Sequence, residues 1–333
     1  MEYDAHHRSW GGSPAVPKKK GPRKPDRPDG GDPIPLHPRT MEKKIQELGK
    51  QLRDKEFESM EEAQAFLEEL GASGEGLQPI PAEPSTPLEK AQELIYEAFE
   101  TGSHRKRVQL AKKALKVSSD CADAYVLLAE ETAEDPKEAK ELYEKGVQAG
   151  ARAVKQTLGE EAFEEDAGHF WGILETRPYM RARLGLALAL WELGERSETI
   201  GHYQQMLHLN PNDNQGVRYL LASALLEEGL DDDLGELLET YEDDAGASWV
   251  YARALWRFRM QGNGEEARSA LEEAISFNPF VPEYLLGRRG MPGTLPALVG
   301  FGDESEAMVY FAEALPGWLR TPGAIEWLRT NAP

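Results

Sequence analysis

The sequence predicts an all-α fold, a right-handed solenoid of helical hairpins behind a disordered N-terminal arm. Three observations lead there. From residue 88 onward, apolar residues recur at three- and four-residue intervals, the spacing of one helix face. Turn glycines and Asn-Pro stops fall on a common ruler of 34 residues. Residues 1–40, by contrast, hold eight prolines and five glycines with almost no apolar clustering, too little burial to offset the entropy of ordering the chain.

Composition bounds what such a chain can do. With 333 residues and 40% apolar content there is material for a real core in one or two domains. The best apolar run, Leu184 to Trp191, is eight residues long, far short of a membrane span. The start, Met1–Glu2–Tyr3–Asp4, has no apolar stretch of the secretory kind, and the single cysteine, Cys121, fits a reducing compartment. A cytoplasmic location is expected. The net charge is -21; residues 1–40 are slightly basic and the rest carries 54 acidic against 30 basic residues. An acidic body repels phosphates, so no nucleic-acid partner is expected.

The elements follow in order. Residues 41–57 read as a polar helix. Ser59 and Glu62 form a capping-box pattern, and Ala63, Phe66, Leu67 and Leu70 continue at helical spacing up to Gly71, giving a short helical element over 41–70. Pro79, Pro81, Pro84 and Pro87 make 71–87 a linker. Residues 88–333 form the hairpin stack. Leu88–Ser119 has Leu94, Ala98, Gly102, Ala111 and Ala114; Ala122–Val147 has Tyr125, Leu128 and Ala129 and then a shortened second half. Residues 151–177 break the rhythm as an insertion.

In Met180–Asp213, Leu186 and Leu190 fill the seam, Ala187 lets paired helices approach, Gly194 makes the reversal and Pro211 stops the second helix. Asn214–Tyr241 repeats this with its turn at Gly229. Ser248–Val281 repeats it with Gly262, Ala267, Ala274 and Pro279. The last unit is split by a Gly/Pro-rich insertion over 287–302, and Trp318, Ile325, Trp327 and Leu328 supply a C-terminal cap for the open end of the stack.

Met180–Asp213 resembles a tetratricopeptide repeat closely. Counted from Met180, it has leucines at positions 7 and 11, alanine at 8, glycine at 15, Tyr203 at 24 and Pro211 at 32; Thr199 and Met206 depart from the usual alanines. The segments 165–183, 210–221 and 278–287 resemble a bacterial group of unassigned tetratricopeptide proteins. The segment 278–287, with 302–311, is also similar to the C-terminal region of the suppressor of tumorigenicity 7 family, a resemblance covering the last third of the chain. That family is membrane-associated and has no settled activity; this sequence departs from it in lacking a span.

The repeat resemblance implies a non-enzymatic scaffold or adaptor that holds a peptide or protein segment against the first helix of each pair. Transferred to this sequence, the face presents Arg181 and Trp191, then Arg218, then Trp249, Arg253, Trp256 and Arg259. The arginines suit a carboxylate and the tryptophans an apolar anchor. Arg218 together with Asn214 can equally bridge adjacent repeats. No catalytic residue, cofactor or metal ligand is expected: no two of the seven histidines have metal-ligand spacing, and no glycine-rich string ends in a phosphate-binding Lys-Ser/Thr. Two alternatives stand beside the scaffold. One is an enzyme with a site in the 151–177 insertion, where His169 neighbours Glu165 and Asp166, or in the 287–302 loop. The other is a self-associating structural protein. The sequence leaves the oligomeric state and the partner's identity open.

Overall fold

The structure, a computed structural model, describes residues 41–46, 86–296 and 298–332. The expected arm over 1–40, and the helical element and linker apart from 41–46, 86 and 87, lie outside the described residues. Every regular element among the described residues is helical, and the residues fall into two compact units, one ending at Leu193 and the other starting at Gly194.

In the first unit, residues 41–46 are helical. Helices α1 (Pro87–Glu100) and α2 (His104–Val117) pair, as do α3 (Ala122–Thr132) and α4 (Pro136–Leu158); α5 (Ala162–Glu165) is a single turn, and α6 (Arg177–Glu192) packs along α4. Local chemistry sets the boundaries. Thr86 and Glu89 form a reciprocal capping box around Pro87. The Asp135 carboxylate accepts from the Lys137 and Glu138 amides at the start of α4. The core of the first two pairs interlocks small and large side chains: Ala91, Ile95 and Ala98 from α1, Leu110, Ala111 and Ala114 from α2, Ala124 and Leu127 from α3.

Helix α4 differs from the expectation of a shortened second half. It is the longest described helix, 23 residues, so the stretch read as an insertion from 151 opens with its last two turns. The reason is a run of small residues facing α6. A Cβ on Gly150 would stand 2.9 Å from the Tyr179 Cα, one on Gly146 would stand 3.1 Å from the Ala182 Cβ, and one on Gly185 would stand 2.2 Å from the Tyr143 ring. The sequence order of these contacts, 143 to 185, 146 to 182 and 150 to 179, describes two antiparallel helices whose backbones nearly touch. Beyond Leu158 the chain buries Phe170 in an aromatic cluster with Phe163 and Tyr179.

The second unit contains α7 (Arg196–Leu209), α8 (Val217–Glu228), α9 (Asp231–Thr240), α10 (Ala247–Gln261), α11 (Glu265–Phe277), α12 (Val281–Leu285), α13 (Glu304–Arg320) and α14 (Ala324–Asn331). Helices α8 and α9 pair through a turn at Gly229, and α10 and α11 through one at Gly262; both glycines have positive φ, where a side chain would be strained. Asn278 ends α11 and its buried amide donates to the Asp303 carbonyl and the Glu306 carboxylate, which fastens the start of α13. Residues 287–302 form no helix among those described and leave Leu298 and Phe301 exposed. Helix α13, expected as the second helix of the last pair, packs on α12 but also lies across α8 and α10. Trp318 and Trp327 stack, and Trp327 stacks in turn on Phe258. No helix among the described residues is long and apolar enough to cross a membrane.

Two glycines test the packing in opposite directions. In Gly150→Ala the helix-propensity gain of about 1 kcal/mol is outweighed by overpacking against the α6 backbone, roughly 1–3 kcal/mol and at the upper end here because the obstacle is main chain. The expected result is a lower urea midpoint. A Cβ on Gly201 in α7 would meet nothing within 4 Å, so Gly201→Ala is expected to raise the midpoint by the full propensity term, about 1 kcal/mol.

Candidate functional site

The face predicted to bind is the row of first helices: α1, α3 and α6 in the first unit, α8 and α10 in the second. In each unit that row carries a segment of the same chain.

In the first unit the centre is Arg181. Its guanidinium makes a two-point contact with Asp123 on α3, Nε to Oδ1 at 2.9 Å and Nη2 to Oδ2 at 2.7 Å. Its remaining nitrogen, Nη1, reaches both oxygens of Glu42 at 2.9 and 3.0 Å. Arg177, one turn earlier on α6, donates to the same Glu42 carboxylate at 3.3 Å. Arg177 is itself fixed, with Nε on the Trp171 carbonyl at 2.8 Å and the guanidinium 5.2 Å above the Trp171 ring. Asp123, 0% exposed, also accepts from Gln92 on α1 at 3.0 Å. Lys43 reaches back to Glu93 on α1 at 2.7 Å. The segment 41–46 therefore touches the first and third helices of the row and, through Arg181, is tied to the second.

The charges balance, two guanidinia against two carboxylates, which is what lets them stay buried. Burial by itself weakens the Arg181 guanidinium, but Asp123 and Glu42 more than offset it and hold its pKa above the ordinary value. Burial first, and then the charges of Asp123 and Glu42, pushes the Tyr96 phenol up. Cys121, whose place before a helix start could have lowered its pKa, is instead pushed up by burial and by Asp123; its thiol points at the Gln92 amide oxygen.

In the second unit, Arg218 on α8 donates to Asp244 at 2.7 Å and to the Tyr219 hydroxyl at 2.9 Å, and Tyr219 donates to the same Asp244 oxygen. The guanidinium lies 4.7 Å over the Tyr219 ring and 5.1 Å over that of Tyr241. Asp213, at φ 47, turns its carboxylate onto the Val217 and Arg218 amides at 2.7 and 3.0 Å and thereby starts α8. Burial raises its pKa, and those two amides partly oppose the rise. Arg259 on α10 is spent on three partners: Asp231 at 2.9 Å, the Leu226 carbonyl at 2.8 Å and Thr321 at 2.8 Å. Over this row lies α13, whose Gly317 comes so near Leu226 that a Cβ would stand 3.1 Å from the leucine Cβ.

The residues expected on the binding face are thus distributed unevenly. Arg181, Arg218 and Arg259 are held by partners within their own unit. Trp249 is fully buried between Tyr219 and Tyr241. Trp256 is half-buried and donates to the Asp231 carbonyl. Arg253 donates to the Glu242 carbonyl, and Trp191 is half-buried. Sequence reasoning missed Glu42, Asp123, Arg177 and Asp244. The four-residue spacing of Arg177 and Arg181 on one helix was a usable signal; nothing in the sequence pairs Glu42 with residues 135 and 139 positions away. His169, the pivot of the enzymatic alternative, is exposed, so no deep pocket joins it to Glu165 and Asp166. The described residues contain no group of three or more His, Cys, Asp or Glu able to hold a metal ion. The arrangement of arginines recognises carboxylates.

Comparison with known proteins corrects the family reading. The model of the family described as ST7 protein matches residues 82–331, not only the last third, and the relatives found are vertebrate, not bacterial. Human suppressor of tumorigenicity 7 protein-like is 26% identical over 262 residues, 73% of this chain and 45% of its own length. The suppressor of tumorigenicity 7 protein of Macaca fascicularis is 28% identical over 260 residues, 70% of this chain and 48% of its own. The chain thus spans about half the length of the curated relatives it matches. Among solved structures, YrrB, described as a tetratricopeptide protein with an unusual peptide-binding site, covers 64% of this chain at 20% identity with a TM-score of 0.38, too loose a likeness to carry an argument.

Arg218 gives this site a direct test. Arg218→Ala removes the cation shared by Asp244 and the two tyrosine rings and leaves Asp244 nearly buried. The expected loss is roughly 2–4 kcal/mol, read as a drop in the thermal midpoint. A purely surface role would leave stability within about 0.5 kcal/mol.

Proposed function

The chain belongs to the ST7 protein family, and from that premise we propose that it is a protein-interaction scaffold that takes a helical segment of a partner on its row of first helices. We read residues 88–333 as a right-handed tetratricopeptide-type solenoid, with the regions at 151–177 and 287–302 as insertions in it. The 34-residue ruler, the positive-φ glycine turns at Gly194, Gly229 and Gly262, and the Asn-Pro helix stops support that reading.

A single observation carries the proposal. Both units seat a segment of their own chain on the same type of surface: residues 41–46 against α1 and α6, and α13 against α8 and α10. A surface that accepts two unrelated helical segments has the width and the carboxylate-binding groups that helix-in-groove recognition uses. Within the row, Arg181, Trp191, Arg218, Trp249, Arg253, Trp256 and Arg259 divide the work. We assign the paired arginines and the buried Trp249 to its floor and the half-buried Trp191, Arg253 and Trp256 to its border.

The test is positional. A photo-reactive residue is placed in the full chain at Glu97 or Glu192, exposed sites on first helices, and in parallel at Lys145 or Gln204, exposed sites on second helices. One defined partner is expected to crosslink from the first pair of positions and at least about fivefold less from the second. Equal crosslinking from all four positions, or crosslinking from the second helices only, would overturn the assignment.

A further inference from the structure

Glu42 is held differently from Asp123, the buried carboxylate beside it. Asp123 is anchored by its own helix, by Gln92 and by two nitrogens of Arg181. If Glu42 were withdrawn, all of those bonds would remain. Arg177 would likewise keep its bond to the Trp171 carbonyl and its place over the Trp171 ring. What would remain is a pre-organised pair of guanidinia with one unbalanced positive charge, open to a new carboxylate. Beside it, the Lys43–Glu93 pair is about one-third exposed at both ends and by itself contributes little. Two guanidinia held in place by groups other than the carboxylate they receive describe a site with a ligand seated in it.

Resting on the scaffold reading, we propose that Glu42–Lys43 is an internal occupant of a recognition site for a helical segment of a partner protein that carries a glutamate followed by a lysine. Arg177 and Arg181 read a glutamate of that segment, and Glu93 reads a lysine beside it. Partner binding and release of residues 41–46 are then one exchange. Because the occupant belongs to the same chain, it competes at an effective concentration on the order of 1 mM. A partner must therefore either bind well or be presented at high local concentration, and the scaffold stays closed to weakly binding helices.

The probe is a fluorescent synthetic peptide with the sequence of residues 38–59, added to the full chain and followed by anisotropy. Wild-type chain is expected to bind it weakly, because its own segment competes. Full-chain Glu42→Gln, whose own segment has lost the carboxylate, is expected to bind at least about tenfold tighter. A peptide carrying Gln in place of its glutamate at position 42 is expected to lose that gain, and so is the chain with Arg177→Met added to Glu42→Gln. Thermal melts of each chain are recorded alongside. Equal binding by wild type and Glu42→Gln would overturn the proposal. So would a sharply lowered melting midpoint in Glu42→Gln without peptide binding, since that is the behaviour of a staple. The conservative variant Glu42→Asp, which keeps the charge, is expected to resemble wild type; tight peptide binding by it would count against a carboxylate-read site. The peptide assay needs no natural partner. It can therefore fail while first-helix crosslinks succeed, or succeed while they fail, and the exchange and the scaffold reading are judged separately.

Discussion

Close backbone approach at small side chains is the constraint on which the fold depends. A helical hairpin with arms of 10 to 15 residues, such as α1–α2, α8–α9 or α10–α11, is barely stable alone, because its apolar flank stays in water. It gains stability only when the next helix comes near enough to exclude that water. In the first unit this happens where Gly146 and Gly150 of α4 meet Ala182 and Tyr179 of α6, and where Gly185 makes room for the Tyr143 ring. Between α1 and α2 the same task falls to Ala91, Ala98, Ala111 and Ala114, all fully buried. Larger residues at these places would part the helices and thin the dispersion contacts that reward close packing.

Close packing of first helices has an electrostatic consequence. Polar side chains on those helices are enclosed as the row forms, and each must find partners within reach. Arg181 finds Asp123 and Glu42; Arg218 finds Asp244 and Tyr219; Arg259 finds Asp231, Thr321 and a backbone carbonyl. The three arginines all stand on first helices and are satisfied by different means. Arg218 and Arg259 are matched within the second unit by residues on neighbouring turns and helices. Arg181 alone borrows a carboxylate from a segment 139 residues upstream, and that difference separates the exchangeable contact from the fixed ones.

These differences also mark what a reader of the sequence can recover. Helix positions, glycine turns and the Asn-Pro stops are local, since each depends on a few adjacent residues, and they were legible: Gly194, Gly229 and Gly262 all adopt positive φ. The full length of α4 is not local: Gly146 and Gly150 admit α6, and that is a tertiary fact which no pattern of adjacent residues marks. Arg181, Arg218 and Arg259 stand on α6, α8 and α10, whose helical spacing the sequence displays, but nothing in it displays their occupancy. No periodicity links Glu42 to Arg181, or Thr321 to Arg259 across 62 residues. The same blindness hid the course of α13, whose apolar spacing fits the second helix of a pair as well as a helix lying across α8 and α10.

A surface already covered by its own chain is not thereby disqualified from recognition. The cover shows which chemistry the surface accepts. On α8 and α10 the cover is seated by buried aromatics, by Gly317 against Leu226 and by Arg320 on Glu227, a set of contacts that would have to break together. Over α1, α3 and α6 the described cover is six residues long and is held by one deep carboxylate and one partly exposed lysine. The guanidinia beneath it are organised by Asp123 and the Trp171 carbonyl, with or without Glu42. Because its arginines are organised without the occupant, the first unit can exchange it for another carboxylate, while the second keeps its own as part of the core.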